Sequence, residues 1–265
     1  MPIFNRITYS PGDTSEAYAV FDSSDGSFTF FRDTPGKYTD GQVSGTKRYY
    51  TGFEDITGVT APSWYDSDNS EQKNTIKTVV FRDKIKPKTC YRWFMQANAL
   101  TSITGLDKLD TANVTCMFRM FQDCNSLASL DVSSFNTAKV RDMRYMFTGC
   151  NSLTSLDVSG FSTASVKDMR YMFVFCRRLT SLDLSQFNTG NVTNMDSMFY
   201  RCDSLKTIYA SSLFTTDAVS LSTDMFAGCT SLVGGAGTKY DASHTDKAYA
   251  RIDGGTSRPG YFTAK

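Results

Sequence analysis

A repeat of 26 residues constrains the fold of this chain more than any other feature of its sequence. Phenylalanine and cysteine each recur at this period, in two columns of the repeat: Phe121, Phe147, Phe173 and Phe199, and Cys124, Cys150, Cys176 and Cys202. The next step, from Phe199 to Phe226, is 27 residues. A fixed period of this length is typical of proteins in which one short unit stacks on its neighbours, and such folds build extended binding surfaces.

The order of apolar residues inside one unit predicts a helix followed by a strand. Apolar side chains recur at helical spacing between Val140 and Leu153, and Asp142 precedes them as a candidate cap. Leu153, Leu156 and Val158 then follow strand alternation. The prediction is therefore an α/β leucine-rich-repeat solenoid, right-handed, built from 26-residue helix–strand repeats with a β-rich N-terminal cap.

The segments that flank the repeats predict caps, because each end of a stacked array exposes an apolar face. Residues 17–22 and 27–32 are typical of the two arms of a β-hairpin, and residues 75–81 of a further strand. Residues 34–72 are rich in Gly, Ser, Asp and Pro, which predicts loops. The predicted units are a β-rich N-terminal cap or small binding domain over 1–88, the solenoid over 89–233, and an aromatic C-terminal cap over 234–265.

Charge and hydropathy exclude two classes of function. The chain carries 28 basic and 27 acidic residues, which argues against a nucleic-acid partner. No apolar run approaches the ~20 residues that cross a bilayer, so no membrane insertion is expected. The first residues, Met1 to Arg6, lack the basic and apolar regions of a secretory signal. Removal of a signal and another export route both remain open.

The cysteines and the single histidine predict neither a metal site nor a cofactor site. The recurring thiols indicate a buried, reduced ladder, because a cysteine behaves as a small apolar side chain in a core. Cys90 and Cys116 lie outside this column, and a bridge between them stays open. His244 has no nucleophile elbow, phosphate loop or metal-binding helix around it, so we expect no enzymatic activity.

With these motifs in place, residues 90 to 262 resemble the BspA-like leucine-rich-repeat surface proteins of bacteria and the related repeat of mycoplasma surface lipoproteins. The resemblance rests on the run from Asn191 to Leu205, on Leu-x-x-Leu-Asp-Val/Leu-Ser, and on the ending from Tyr249 to Phe262. It implies an adhesin-like protein at the cell surface or outside the cell. Its partner would be a protein or glycan on a cell surface or in the extracellular matrix. The resemblance transfers no binding residues.

The predicted helix side carries basic and aromatic residues in register from one repeat to the next. Arginine and tyrosine are enriched at binding hot spots, so this stripe could bind an anionic glycan or an acidic protein. A solvated face with extended arginine side chains is the alternative. Val174 is expected at an exposed position of the same stripe. The candidate binding residues are Arg144, Arg170, Tyr145, Tyr171, Phe175 and Arg178.

Three carboxylates occupy the same strand position in successive repeats: Asp131, Asp157 and Asp183. They could form a site for a cation or a basic partner. We favour the other interpretation, in which Ser129, Ser155, Ser181 and their neighbours hydrogen-bond the carboxylates, since no calcium-loop motif accompanies them.

Taken together, these features predict non-enzymatic recognition or adhesion through a repeat-built surface that faces a host or neighbouring cell. A phage or prophage virion attachment protein is the alternative, and would explain the missing signal. A structural module that spaces other components is a third possibility.

Overall fold

The computed structural model describes residues 14–65 and 70–265, and this part of the chain consists mainly of strands and turns. The strands are β1 Glu16–Asp22, β2 Ser27–Asp33, β3 Val43–Ser44, β4 Lys47–Tyr50, β5 Thr78–Phe81, β6 Ser102–Thr104, β7 Ser181–Asp183, β8 Thr207–Ala210 and β9 Phe262–Ala264. One α-helix, α1 Ser70–Thr75, lies within the described residues. No helix there is long and apolar enough to cross a membrane.

The N-terminal region forms a six-stranded sheet in the order β3-β4-β1-β2-β5-β6. The predicted hairpin is confirmed: β1 and β2 pair antiparallel, and their loop ends at Gly26, whose φ of 76° suits glycine. β5 continues the sheet in parallel, although it begins at Thr78 and is shorter than predicted. The prediction of loops over 34–72 is wrong where β3, β4 and the start of α1 occur, and its residues 66–69 lie outside the described part.

From residue 90 onward, successive repeats stack and exchange backbone hydrogen bonds. Phe121 N–H donates to Met146 O at 3.0 Å, and Phe147 N–H donates to Met172 O at 3.0 Å. Near the C-terminus β7, β8 and β9 form a parallel three-stranded sheet. Because β9 comes from the last residues of the chain, the C-terminal segment pairs directly with the repeats.

The predicted α/β solenoid of helix–strand repeats is wrong, because the segment between Val140 and Leu153 is a series of turns. Tyr145 and Gly149 have φ of 59° and 73°, left-handed values that interrupt an α-helix. Their N–H groups donate to the next repeat, where Tyr145 N bonds Arg170 O at 3.3 Å. Tight turns place apolar side chains on one side at spacings that resemble helical ones, which explains the error.

In this different backbone the predicted capping contact of the repeat forms, whereas the predicted strand forms in only some repeats. Asp142 Oδ1 accepts from Arg144 N–H at 3.1 Å, so the predicted capping contact forms on a turn. The stretch from Leu153 to Val158 forms no strand, whereas the equivalent Ser181–Asp183 does.

The hydrophobic core runs without a break from the N-terminal sheet to the C-terminal segment. Its centre is a column of stacked phenylalanine rings with centroids 5.5 to 5.9 Å apart: Phe94, Phe121, Phe147, Phe173, Phe199 and Phe226. Phe30 packs edge-on against Phe94 at 6.3 Å. Tyr261 packs edge-on against Phe226 at 5.2 Å. Aromatic side chains from outside the repeats thus cover both ends of the column.

Threonine and cysteine columns link neighbouring repeats on either side of this core. Thr137 Oγ1 donates to Ser162 O at 3.0 Å and accepts from Ser162 N–H at 2.8 Å, so its hydroxyl satisfies backbone groups of the next repeat. The cysteines are buried free thiols, and Cys150 Sγ donates to Phe121 O at 3.2 Å. Cys90 and Cys116 are also free thiols.

Candidate functional site

A row of arginine and aromatic side chains begins at Tyr65, before the repeats, and continues along the repeats to Tyr171. We call it the Arg–aromatic ladder, and its members, all half-buried, are Tyr65, Tyr91, Arg92, Phe118, Arg119, Arg144, Tyr145, Arg170 and Tyr171. Tyr91 and Phe118 stack with centroids 5.3 Å apart, and Tyr145 and Tyr171 stack at 4.6 Å. Phe118 meets Tyr145 edge-on at 5.7 Å. The four rings from Tyr91 to Tyr171 therefore form one connected series, which Tyr65 joins only through Arg92.

Guanidinium groups fill the spaces between these rings. Arg92 lies 4.9 Å from the centroid of Tyr91 and 5.5 Å from that of Tyr65. Arg119 lies 4.9 Å from Phe118 and 4.7 Å from Tyr145. At these distances the negative face of each ring attracts the cation. Both arginines are thus held in fixed orientations by two rings.

The four arginines of the ladder differ in how their charge is compensated. Arg144 binds Asp142 with both Nε and Nη2, at 2.9 and 2.6 Å, and this hydrogen bonding raises the pKa of its guanidinium. Arg170 Nε forms an ion pair with Asp168 Oδ2 at 3.4 Å, although this buried Nε makes no hydrogen bond. In the described part of the chain Arg92 and Arg119 have no ion pair, and their buried Nε atoms have no hydrogen-bond acceptor. The uncompensated positive charge of the ladder is at these two residues.

Backbone geometry explains how the ladder is positioned. Arg92, Arg119, Tyr145 and Tyr171 have φ between 58° and 62°. The same column continues with other residue types in the same conformation, Ser197 at 52° and Asp224 at 55°. Left-handed backbone is therefore a property of the repeat, and the ladder depends on which side chains occupy the column.

The remaining predicted stripe residues lie outside the ladder. Phe175 forms a second group with Tyr200, whose ring is 5.7 Å away, and with Arg177, which lies 5.1 Å from the Phe175 centroid. No described ring contact or cation contact joins this group to the ladder. Arg178 is exposed. Val174 is 5% exposed, so its predicted place on the surface is wrong.

Of the predicted stripe residues, Tyr145 and Tyr171 stack on each other, Arg144 lies 5.0 Å from the Phe118 centroid, and Arg170 pairs with Asp168. Five ladder residues were not among those predicted: Tyr65, Tyr91, Arg92, Phe118 and Arg119. Phe118 and Arg119 stand one period before Arg144 and Tyr145, so the repeat itself could have revealed them. Tyr65 lies outside the repeats, and only the packing of the N-terminal region places it beside Arg92.

The aspartate column is part of the repeat, and its serine partners differ from those predicted. Asp131 accepts from the Oγ and N–H of Ser133 at 2.6 and 3.0 Å, and these hydrogen bonds lower its pKa. Ser159 N–H bonds Asp157 in the same way at 2.9 Å. Burial works to raise the pKa of Asp183, but hydrogen bonds from Lys265 and Ser185 outweigh it. No cluster of three metal-ligand side chains occurs among the described residues.

Two overlapping segments of the chain, residues 88–208 and 157–257, match one family model, described as a mycoplasma protein of unknown function, DUF285. Together the two matches span well over half of the chain. The chain belongs to this family. Membership in DUF285 confirms the mycoplasma-type part of the resemblance. The comparison with curated proteins gives no match.

Two solved structures are similar to this DUF285 protein. A leucine-rich cell surface protein from Faecalibacterium prausnitzii A2-165 shares 12% identity and a TM-score of 0.33, over 84% of this chain and 57% of its own. A leucine-rich repeat protein from Bacteroides ovatus ATCC 8483 shares 12% identity and a TM-score of 0.23, over 87% and 82%. This chain thus spans less than two thirds of the first structure. TM-scores this low do not establish a common fold.

Proposed function

We propose that this protein is a non-enzymatic recognition protein that binds a macromolecule through the Arg–aromatic ladder. The partner is a protein or glycan on a cell surface or in the extracellular matrix. The observation that carries the proposal is the state of Arg92 and Arg119. Each lies over two rings, and neither has a carboxylate partner in the described residues.

Contact with the rings restricts the side-chain conformations of these two arginines before a ligand binds. A long side chain loses rotamer entropy when it is immobilised, and packing between rings imposes most of this loss before a ligand arrives. The guanidinium edge offers planar N–H donors that match carboxylate, sulfate or phosphate oxygens. The Nε atoms of Arg92 and Arg119 are buried, so an anionic ligand would bind the outer guanidinium N–H donors of these residues.

His244 and its serine and carboxylate neighbours do not form a catalytic relay. His244 Nδ1 lies 2.8 Å from Ser243 Oγ and 3.6 Å from Asp241 Oδ2. A serine–histidine–carboxylate relay needs the serine and the carboxylate at opposite ring nitrogens, and here both meet Nδ1. Ser243 Oγ also donates to Asp241 Oδ1 at 2.7 Å, which makes this group an exposed turn motif.

Location at the cell surface is part of the same proposal. It is supported by the resemblance of the repeat to surface proteins and by a ladder that several successive repeats present on one side. Neither the described residues nor the family match offers an observation that favours the virion alternative.

The test is a binding array that presents the purified protein to extracellular-matrix proteins, glycans and whole bacterial cells. The variant Arg92→Glu/Arg119→Glu reverses both uncompensated charges. Arg178→Glu is the matched control, because it makes the same charge change at an exposed arginine outside the ladder. Circular dichroism melting establishes that each variant is folded.

We expect a saturable partner whose affinity falls at least about tenfold in the double variant and stays unchanged in Arg178→Glu. Arg92→Lys/Arg119→Lys keeps the charge and removes the planar donors, so we expect an intermediate loss. Equal binding by wild type and the double variant, or no partner for the folded protein, would contradict the proposal.

A further inference from the structure

A second candidate binding site lies far along the chain from the ladder, in a cavity of about 570 Å³. The segments 211–217 and 247–262 form its walls, and no ladder residue lines it. Its volume falls in the range of roughly 300–1,000 Å³ that is usual for small-ligand pockets. The C-terminal segment therefore forms a concavity of ligand size besides covering the core.

The walls of this cavity are basic. Lys247, Arg251 and Arg258 line it, together with one carboxylate, that of Asp217. None of the three basic side chains forms an ion pair with a described residue. An anionic group would therefore meet an excess of positive charge in a partly enclosed space, where charge attraction is stronger than in bulk water.

Hydrogen bonds to the backbone hold two of these side chains in place. Lys247 Nζ donates to Val219 O and, at 3.5 Å, to Thr216 O. Arg251 Nε donates to Pro259 O at 2.9 Å, and no described acceptor binds its terminal nitrogens. Arg258 is exposed at the rim. Arg251 is thus oriented through Nε while its terminal N–H donors remain available.

The rest of the lining is both apolar and hydroxylated. Phe214 and Phe262 meet edge-on with centroids 4.9 Å apart, and they are 7% and 1% exposed. Ile252 is 36% exposed. Ser212 and Thr216 add hydroxyl groups. A ligand that suits this lining combines an anionic group, several hydroxyls and a small apolar face.

We propose that this cavity binds an acidic sugar unit of a glycan. The carboxylate or sulfate group binds Arg251 and Arg258, the sugar hydroxyls bond to Ser212 and Thr216, and an apolar ring face packs on Ile252. A nucleotide fits less well, because both phenylalanine rings are buried and offer no open face for a base. This cavity shares no lining residue with the ladder, so it is a second site with its own class of ligand.

The test is an NMR titration of ¹⁵N-labelled protein with glucuronate, an acidic monosaccharide. We expect saturable shift changes at the amides of 211–217 and 247–258. Arg258→Glu should weaken binding at least about tenfold, since a charge-assisted contact becomes repulsive. Lys206→Glu is the matched control at an exposed lysine outside the cavity, and it should bind like wild type.

Two further ligands and two further variants sharpen the result. Glucose, which lacks the charge, should bind at least about tenfold more weakly than glucuronate. Thr216→Val should weaken glucuronate and leave inorganic sulfate unaffected, and it provides a second test if Arg258→Glu fails to fold. Arg92→Glu/Arg119→Glu should retain glucuronate binding, which separates this site from the ladder.

Three outcomes would overturn the inference. The first is the absence of saturable shifts at the cavity, and the second is glucuronate binding that persists unchanged in Arg258→Glu. The third is inorganic sulfate that binds as tightly as glucuronate, since the cavity would then recognise an anion and no sugar.

Discussion

The rings of Phe173 and Phe199 lie parallel, with centroids 5.7 Å apart and an interplanar angle of 0°. These residues belong to successive repeats, so their contact is made between repeats. Phe147 covers the other side of Phe173 at 5.8 Å, and Phe173 itself is fully buried. Each ring of the column therefore stabilises two neighbours, and the core exists only when the repeats stack.

Replacing Phe173 with alanine should lower the free energy of unfolding by about 3–5 kcal/mol, because it leaves a cavity in the ring column. Denaturant unfolding followed by circular dichroism measures this loss. Phe175→Ala is the control, since Phe175 is half-buried and lies outside the column. Equal stability of Phe173→Ala and wild type would refute the core position of this ring.

Replacing Gly149 with alanine should destabilise the protein by about 1–2 kcal/mol through backbone strain alone. Gly149 has a φ of 73°, and an added Cβ would lie 2.3 Å from Asp123 Oδ1, so a steric cost adds to the strain. Gly190→Ala is the control, because the nearest atom to its Cβ would be Asn188 Oδ1 at 3.4 Å. A melting temperature that falls equally in both variants would contradict this explanation.

Acid should destabilise the C-terminal segment, because the carboxylate of Asp253 becomes protonated. Burial alone would raise the pKa of this carboxyl, but hydrogen bonds from Thr238, Gly255 and Ala236 outweigh burial and lower the pKa to about 2. An unfolded aspartate has a pKa of about 3.9, so this contribution to stability is complete above roughly pH 4. It is lost as the pH falls toward about 2.

The measurement for Asp253 is the melting temperature of wild type and Asp253→Asn between pH 6 and pH 2. The asparagine variant should be less stable at neutral pH and should lose less stability on acidification. Asp217→Asn is the control, because no described group donates a hydrogen bond to that carboxylate. Parallel pH profiles for wild type and Asp253→Asn would show that this carboxyl does not carry the effect.

The thiols should resist labelling in the native protein. Burial raises the pKa of Cys176 to about 12, and the reactive thiolate is therefore scarce at neutral pH. We expect slow reaction with a thiol reagent under native conditions and rapid reaction of all seven cysteines in denaturant. Rapid labelling of several thiols without denaturant would show that the column is open to solvent.

Several elements were predictable because their signal is local or periodic. The hairpin from Glu16 to Asp33 has β-forming arms and a glycine at the turn. The buried phenylalanine and cysteine columns follow directly from the period. Four of the nine ladder residues were also predictable, since arginines and tyrosines such as Tyr145 and Tyr171 occupy the same positions in successive repeats.

The strands β3 and β4 were not predictable from composition, because a segment rich in turn residues can still pair with a neighbouring strand. Val43–Ser44 and Lys47–Tyr50 form strands because β1 offers its free edge to β4, a contact between residues distant in sequence. The cavity beside Arg251 and Arg258 was not predictable either. Its two walls are separate segments of the sequence that meet only in the folded chain.

The sequence by itself determined the period, the identity of the core columns and the register in which arginines and tyrosines recur. Only the tertiary structure decided the backbone conformation of each repeat. The spacing between Val140 and Leu153 suits a helix as well as a series of turns. The turns form because alternate N–H groups, such as those of Tyr145 and Gly149, bond to carbonyls of the next repeat. An isolated repeat has no such partner, so its own residues cannot reveal the choice.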